Sequence, residues 1–123
     1  MAARILIAED NRNIVESLSF VLEREGFEVV AALDGEDAMR QLRAARPATM
    51  ILDLMLPRMN GFEVLKLVKS DAALASLPVI VLTAKGQAQD RRMAEEIGVD
   101  EFMTKPFSNS DIVAAVRRVT GQG

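Results

Sequence analysis

The chain of 123 residues contains no cysteine and no histidine. Without cysteine neither a disulfide framework nor a thiolate metal site can form, and a reducing compartment is allowed. Without histidine the commonest general base, the usual nitrogen ligand for metals and any phosphohistidine chemistry on this chain are excluded. Long apolar runs are missing too. The start, "MAARILIAED", turns acidic after a few apolar residues, too short for a signal peptide, and no stretch approaches the roughly 20 residues of a membrane span. A cytoplasmic protein with no membrane contact is therefore expected. A basic stripe is missing as well: the formal net charge is −3, the isoelectric point is near 5.0, and Lys and Arg are scattered. Direct nucleic-acid binding through phosphate contacts is not expected of such a chain.

What is present suits a soluble globular protein, with 50% hydrophobic and 27% charged residues. The length fits one domain over residues 1–123, built on a single core. Short β-branched runs recur at 4–8, 28–32, 49–53, 78–83 and 101–105. Between them apolar residues take helical spacing: Ile14, Leu18, Val21 and Leu22; Ala38, Met39 and Leu42; Val64, Leu65 and Val68; Met93 and Ile97; Ile112, Val113, Val116 and Val119. The punctuation agrees with alternating strands and helices. Gly26 and Gly98 fall where the first and fourth helices would end, Pro47 and Pro78 stop the second and third, and "SNSD" at 108–111 resembles a capping box. Runs one, three and four are apolar on both faces, which predicts a parallel sheet covered on each side. The expected fold is α/β, a three-layer αβα sandwich.

Ligands of such sheets gather outside the carboxyl ends of the strands. There the sequence places Glu9 and Asp10 after strand one, Asp53 at the end of "TMILD", Thr83 and Ala84 after strand four, and Lys105 and Pro106 after strand five. Singly, a strand-terminal acid serves most often as a helix cap, and a terminal Thr as a β-former. Together they are harder to explain so plainly. Carboxylates converging at one sheet end repel by about 4 kcal/mol per pair at roughly 4 Å and an effective dielectric near 20. A cation must sit among them. Oxygen donors without His or Cys suit Mg²⁺ or Mn²⁺, which take one or two carboxylates and keep waters that a phosphate oxygen can replace. Asp53 can then act as a nucleophile toward a phosphoryl group, with the metal on one side and Lys105 on the other neutralising the transferring oxygens. Ala84 is small enough to admit a donor, and Pro106 invites a cis Lys-Pro bond that would aim the ammonium inward.

The acidic pair "ED" at 9–10, "DLMLPRMNG" at 53–61, "LTA" at 82–84 and "TKPF" at 104–107 resemble the receiver domain of two-component response regulators, over essentially the whole chain. The resemblance implies a five-stranded parallel sheet of order 2-1-3-4-5. It implies Asp53 as phosphoacceptor and Mg²⁺ or Mn²⁺ held by Glu9, Asp10, Asp53 and the Met55 backbone carbonyl. It also implies Thr83 and Lys105 as contacts of the phosphoryl oxygens, and Thr83, Phe102, Ala84 and Pro106 as parts of the switch. Expected partners are a sensor histidine kinase or phosphotransfer protein and a downstream effector protein or domain. No enzymatic activity beyond self-catalysed phosphoryl transfer and its reversal by hydrolysis is implied.

Met55 and Lys85 are similar to the pairing found in the winged-helix transcription-factor class of these regulators, and Arg91, Glu101 and Asp111 match charged positions of that class's dimer surface. A phosphorylation-dependent homodimer is implied, although Ala115 stands where that class usually has Arg. A DxD-type phosphatase is disfavoured because Met55 occupies the place of its second acid. A flavin module is disfavoured because "AEDNRN" would repel phosphate. A receiver that serves only as an unphosphorylated binding scaffold is opposed by the complete residue set.

Overall fold

A computed structural model describes residues 2–84 and 87–121. Five strands alternate with five helices: β1 (Arg4–Ala8), α1 (Arg12–Arg24), β2 (Glu28–Ala32), α2 (Gly35–Ala45), β3 (Thr49–Leu52), α3 (Gly61–Ser70), β4 (Val79–Thr83), α4 (Ala88–Ile97), β5 (Glu101–Thr104) and α5 (Asn109–Thr120). All strand pairs are parallel, and the order is β2-β1-β3-β4-β5. The strand order reverses beside β1, so the carboxyl ends of β1 and β3 flank the crevice where this architecture binds ligands.

Side chains alternate across the sheet and feed two cores. Leu6, Ala8, Met50, Leu52 and Val79 pack with buried residues of α2, α3 and α4. Ile5, Ile7, Ile51, Ile80 and Leu82 pack with α1 and α5 through Leu18, Leu22, Ile112 and Val116. The central strands β3 and β4 are buried along their whole length, which is why their sequences read as continuous apolar runs. Among the described residues no helix is long and apolar enough to cross a membrane.

The helix boundaries follow from specific caps. Asn11, Asp34, Asn60 and Ser108 each accept a hydrogen bond from a first-turn N–H of α1, α2, α3 and α5. At "SNSD" only the serine half of the capping box is made, with Ser108 Oγ accepting from the Asp111 N–H at 3.1 Å. Two expectations, on Pro78 and on Met93, need correction. Helix α3 ends at Ser70, where the N–H of Asp71 returns to the Leu67 and Val68 carbonyls. Pro78 lies beyond a turn-rich segment, directly before β4, so it marks the strand's start rather than the helix's end. Gly26 (φ 95°), directly after the cap residue Glu25, and Gly98 (φ 117°), itself the cap of α4, both take the left-handed backbone that ends a helix, as expected. Met93, expected on the inner face of α4, is 38% exposed, and Ala94 is buried instead.

Candidate functional site

The ladder hydrogen bonds run one residue past the strands and fix where the acids stand. The N–H of Glu9 donates to the Ala32 carbonyl at 3.0 Å, and that of Asp53 to the Ala8 carbonyl at 3.0 Å. Glu9 and Asp53 are thereby pinned side by side, 3% and 5% exposed, while Asp10 opens to solvent. One carboxylate oxygen from each of Glu9, Asp10 and Asp53 lies within 4.8 Å of the others. From the far side of the sheet, the N–H of Lys105 donates to the Thr83 carbonyl at 2.9 Å. The Lys105–Pro106 peptide is cis, as the sequence suggested. The Lys105 ammonium reaches both buried acids, 2.5 Å from Glu9 Oε1 and 2.9 Å from Asp53 Oδ2.

The two acids respond differently to this shared partner. Burial dominates at Glu9 and pushes its carboxyl up from the usual range, against the pull of the Lys105 and Asn11 hydrogen bonds. Burial also acts most strongly on Asp53. There, however, the Met55 N–H, the Lys105 ammonium and the Thr83 hydroxyl jointly outweigh it and hold the carboxyl below its usual range. For Lys105 burial opposes the charge, but the hydrogen bonds to Glu9 and Asp53 and their fields keep it raised. Of the two buried acids, Asp53 is thus the one whose ionised form its surroundings favour.

The loop after β3 wraps round Asp53. Met55 donates its N–H to Asp53 Oδ1 at 3.0 Å, while its side chain is 59% exposed. Gly61 opens α3 against the Asp53 peptide: its N–H donates to the Leu54 carbonyl at 3.0 Å, and a β-carbon there would collide with the Asp53 carbonyl oxygen. The Gly of "MNG" is therefore required by close approach, and it seats the helix on the Asp53 backbone.

Thr83 is fully buried at the end of β4, with Ala84 exposed beside it. In register, Thr83 faces Thr104, and Val81 faces Phe102. Residues two apart on a strand share a face, so Thr83 and Phe102 both lie on the α4 side of the sheet. Phe102 is half-buried against that core, and the Arg91 guanidinium sits 5.6 Å from its ring centroid. Pro106 is exposed, next to Phe107. Arg91 also faces Glu95 at 3.7 Å, and Glu101 pairs with Arg118 at 3.0 Å. Asp111 is exposed in the first turn of α5, whereas Ala115 is fully buried. Lys85 lies outside the described residues.

The donor set fits a divalent cation. Among the described residues, three carboxylates gather at the site and one ammonium pairs with two of them, so two negative charges remain uncompensated there when all are ionised. All the donors are hard oxygens, and exposed Asp10 leaves a solvent-facing side for waters. Sequence reasoning missed the contact of Asp34 and Gly35 with the loop at 57–59; a Gly at a helix start carries no local signal of what packs on it.

Comparison with known proteins agrees with this geometry. Residues 5–117 match the family model of the response regulator receiver domain. The phosphate regulon transcriptional regulatory protein PhoB of Klebsiella pneumoniae is 43% identical over 119 residues, 97% of this chain and 52% of that protein. The chain thus spans about half the length of the curated relatives it matches. Among solved structures, the signal receiver domain of a signal transduction histidine kinase from Syntrophus aciditrophicus superposes with a TM-score of 0.90 at 32% identity, over 98% of this chain and 91% of that one. The receiver domain of the Pseudomonas aeruginosa sensor histidine kinase PA1611, with a magnesium ion coordinated in its active site cleft, gives 0.90 at 25%, over 98% and 99%. Strand order, site placement and sequence converge: this chain belongs to the response regulator receiver domains of two-component signalling.

Proposed function

We propose that the described residues act as one receiver unit that takes a phosphoryl group onto Asp53 from a sensor histidine kinase or phosphotransfer protein. The observation that carries this reading is the Lys105 ammonium bridging Asp53 and Glu9 within an acidic cluster that is otherwise negative. Glu9, Asp10 and Asp53, with the Met55 carbonyl, would hold Mg²⁺ or Mn²⁺. When bound, the metal supplies charge neutralisation for the transferring oxygens.

The chain's own residues do the rest. An ionised oxygen of Asp53 attacks phosphorus and forms the acyl phosphate O–P bond as the donor's P–N bond breaks and its imidazole leaves. Lys105 exchanges its contact with Asp53 Oδ2 for one with a phosphoryl oxygen, and Thr83 turns its hydroxyl toward another. Thr83 and Phe102 share a sheet face, so a shift at Thr83 frees space that Phe102 fills, altering the surface of α4, β5 and α5. A downstream effector protein or domain reads that surface. The family resemblance makes a second copy of the chain a further reader, with Arg91, Glu101 and Asp111 facing it, although Ala115 stands where such dimers usually have Arg.

The test is incubation with Mg²⁺ and acetyl phosphate, read by intact mass. A single phosphoryl adduct that vanishes with Asp53→Asn or with chelator supports the reading. Full occupancy in Asp53→Asn overturns the assignment, and no adduct under any condition favours an unphosphorylated scaffold.

A further inference from the structure

The turn that opens α2, outside the acidic cluster, is packed backbone against backbone on the loop that follows Asp53. Gly35 is buried, and a β-carbon there would overlap the Met59 carbonyl oxygen and lie 2.7 Å from both the Met59 carbonyl carbon and Met59 Cβ. Its N–H donates to the Pro57 carbonyl at 3.2 Å. Beside it, Asp34 caps α2 with Oδ1, accepting from the Asp37 N–H at 2.8 Å. Its Oδ2 faces the Arg58 guanidinium at 3.6 Å. Arg58 holds a left-handed backbone, φ 68°, which residues with a side chain seldom adopt.

Between this anchor at 57–59 and Asp53 lie only Leu54, Met55 and Leu56. Leu54 and Leu56 are buried, so the segment is clamped by the core and by α2, with the Met55 N–H held on Asp53 Oδ1. Backbone atoms in contact have no rotamer to escape into, so a displacement at residues 57–59 is passed along three residues to Met55.

We propose that Asp34 and Gly35 are positioning residues for the metal site: they hold the 57–59 turn so that the Met55 peptide stays beside Glu9, Asp10 and Asp53, and thereby set the affinity for Mg²⁺. The inference rests on the metal reading above. Groups that orient metal ligands without touching the ion typically change affinity by about 10- to 100-fold when altered. Neither residue lies in the strand-end motifs from which the site is recognised.

The experiment is Mg²⁺ titration of the full chain by calorimetry, with thermal melts in chelator alongside, for the unaltered chain, Gly35→Ala, Arg58→Gly and a site control, Asp10→Ala. Gly35→Ala is expected to weaken Mg²⁺ binding about 10-fold. Arg58→Gly tolerates the left-handed backbone and removes the guanidinium that faces Asp34. It is expected to keep the metal-free melting temperature while its Kd for Mg²⁺ rises, a separation that a merely structural role does not give. Should Gly35→Ala not fold, Arg58→Gly decides alone. An unchanged Kd in Arg58→Gly and in folded Gly35→Ala overturns the inference while leaving the metal site standing. Absence of saturable binding by the unaltered chain overturns the metal reading and this inference with it.

Discussion

The Lys105 ammonium lies 2.5 Å from Glu9 Oε1 and 2.9 Å from Asp53 Oδ2, so one cation serves two buried carboxylates delivered by β1 and β3. Removing it leaves both acids with backbone N–H partners but no countercharge from lysine. Lys105→Ala should therefore destabilise the metal-free protein by on the order of 1–3 kcal/mol, the cost of stranding a buried charged acceptor. A divalent cation is the natural substitute for the lost charge. Mg²⁺ should raise the melting temperature of Lys105→Ala by more than it raises that of the unaltered chain, as differential scanning calorimetry would show. Equal rises in both proteins would mean that metal and lysine do not share the same acids.

Metal linkage gives a second prediction. If Mg²⁺ binds the folded site and not the unfolded chain, saturating metal should add roughly 1–3 kcal/mol of stability by mass action. Asp10 is the exposed member of the cluster, so Asp10→Ala removes a donor without opening a cavity. Stabilisation by the metal should disappear in that variant. The metal-free protein should be unchanged or slightly more stable, since one of three crowded carboxylates has gone. Thermal melts with and without Mg²⁺ would decide it; an undiminished metal response would exclude Asp10 as a ligand.

The opposite end of the sheet offers a test that separates stability from chemistry. Asp100, before β5, accepts the Val79 N–H at 2.7 Å and pairs with the Lys69 ammonium at 3.2 Å, which also donates to the Leu77 carbonyl at 3.0 Å. This network ties α3 and the turn after it to the starts of β4 and β5. Asp100→Ala should cost about 1–2 kcal/mol, since it strands a backbone donor in a partly buried setting. Denaturant melts would measure that loss. Phosphoryl uptake from acetyl phosphate at 25 °C should stay unchanged, because the residue lies at the far end of the strands.

Legibility in the sequence followed the range of the forces involved. The strands were readable to within a residue because burial on both faces leaves an unbroken apolar run, as in "MIL" and "VIVL". Strand ends slipped by one residue at Asp53 and Lys105, whose N–H groups still bond to the neighbouring strand just past the last strand residue. The acids and the lysine were readable because parallel strands must end together on one side, so residues far apart in sequence are forced into one place. Partners made by turns were not readable. The end of α3 depends on the Asp71 cap and on the Lys69 and Asp100 network, and the seating of Gly35 on Met59 depends on a loop some 20 residues onward. Neither leaves a periodic trace. Met93 misled because a Met at helical spacing looks like core, yet it lies on the solvent side of Ala94.

The last prediction concerns transmission. Thr83 is fully buried, and its hydroxyl helps to hold the Asp53 carboxyl below its usual range, so the two side chains already interact before phosphorylation. Phe102 is half-buried on the same sheet face and held under Arg91. Phosphorylation would draw the Thr83 hydroxyl to a phosphoryl oxygen and let the ring settle inward. Shifting a two-state equilibrium from mostly inactive to mostly active takes roughly 5 kcal/mol of differential binding, and one charge-assisted hydrogen bond supplies about 1.5–3. Loss of that single contact should therefore leave the switch mostly unthrown. Thr83→Ala should still take up a phosphoryl group at Asp53, more slowly, while amide chemical shifts between Ala84 and Phe107 respond weakly to beryllofluoride. In the unaltered chain the same amides should move strongly, with Phe102 and α4 among them. Phe102→Ala should keep the response near Asp53 and lose it across α4, because the ring is the group that carries the change outward. Equal responses along α4 in all three proteins would show that the signal leaves the site by another route, even with Asp53 as the acceptor.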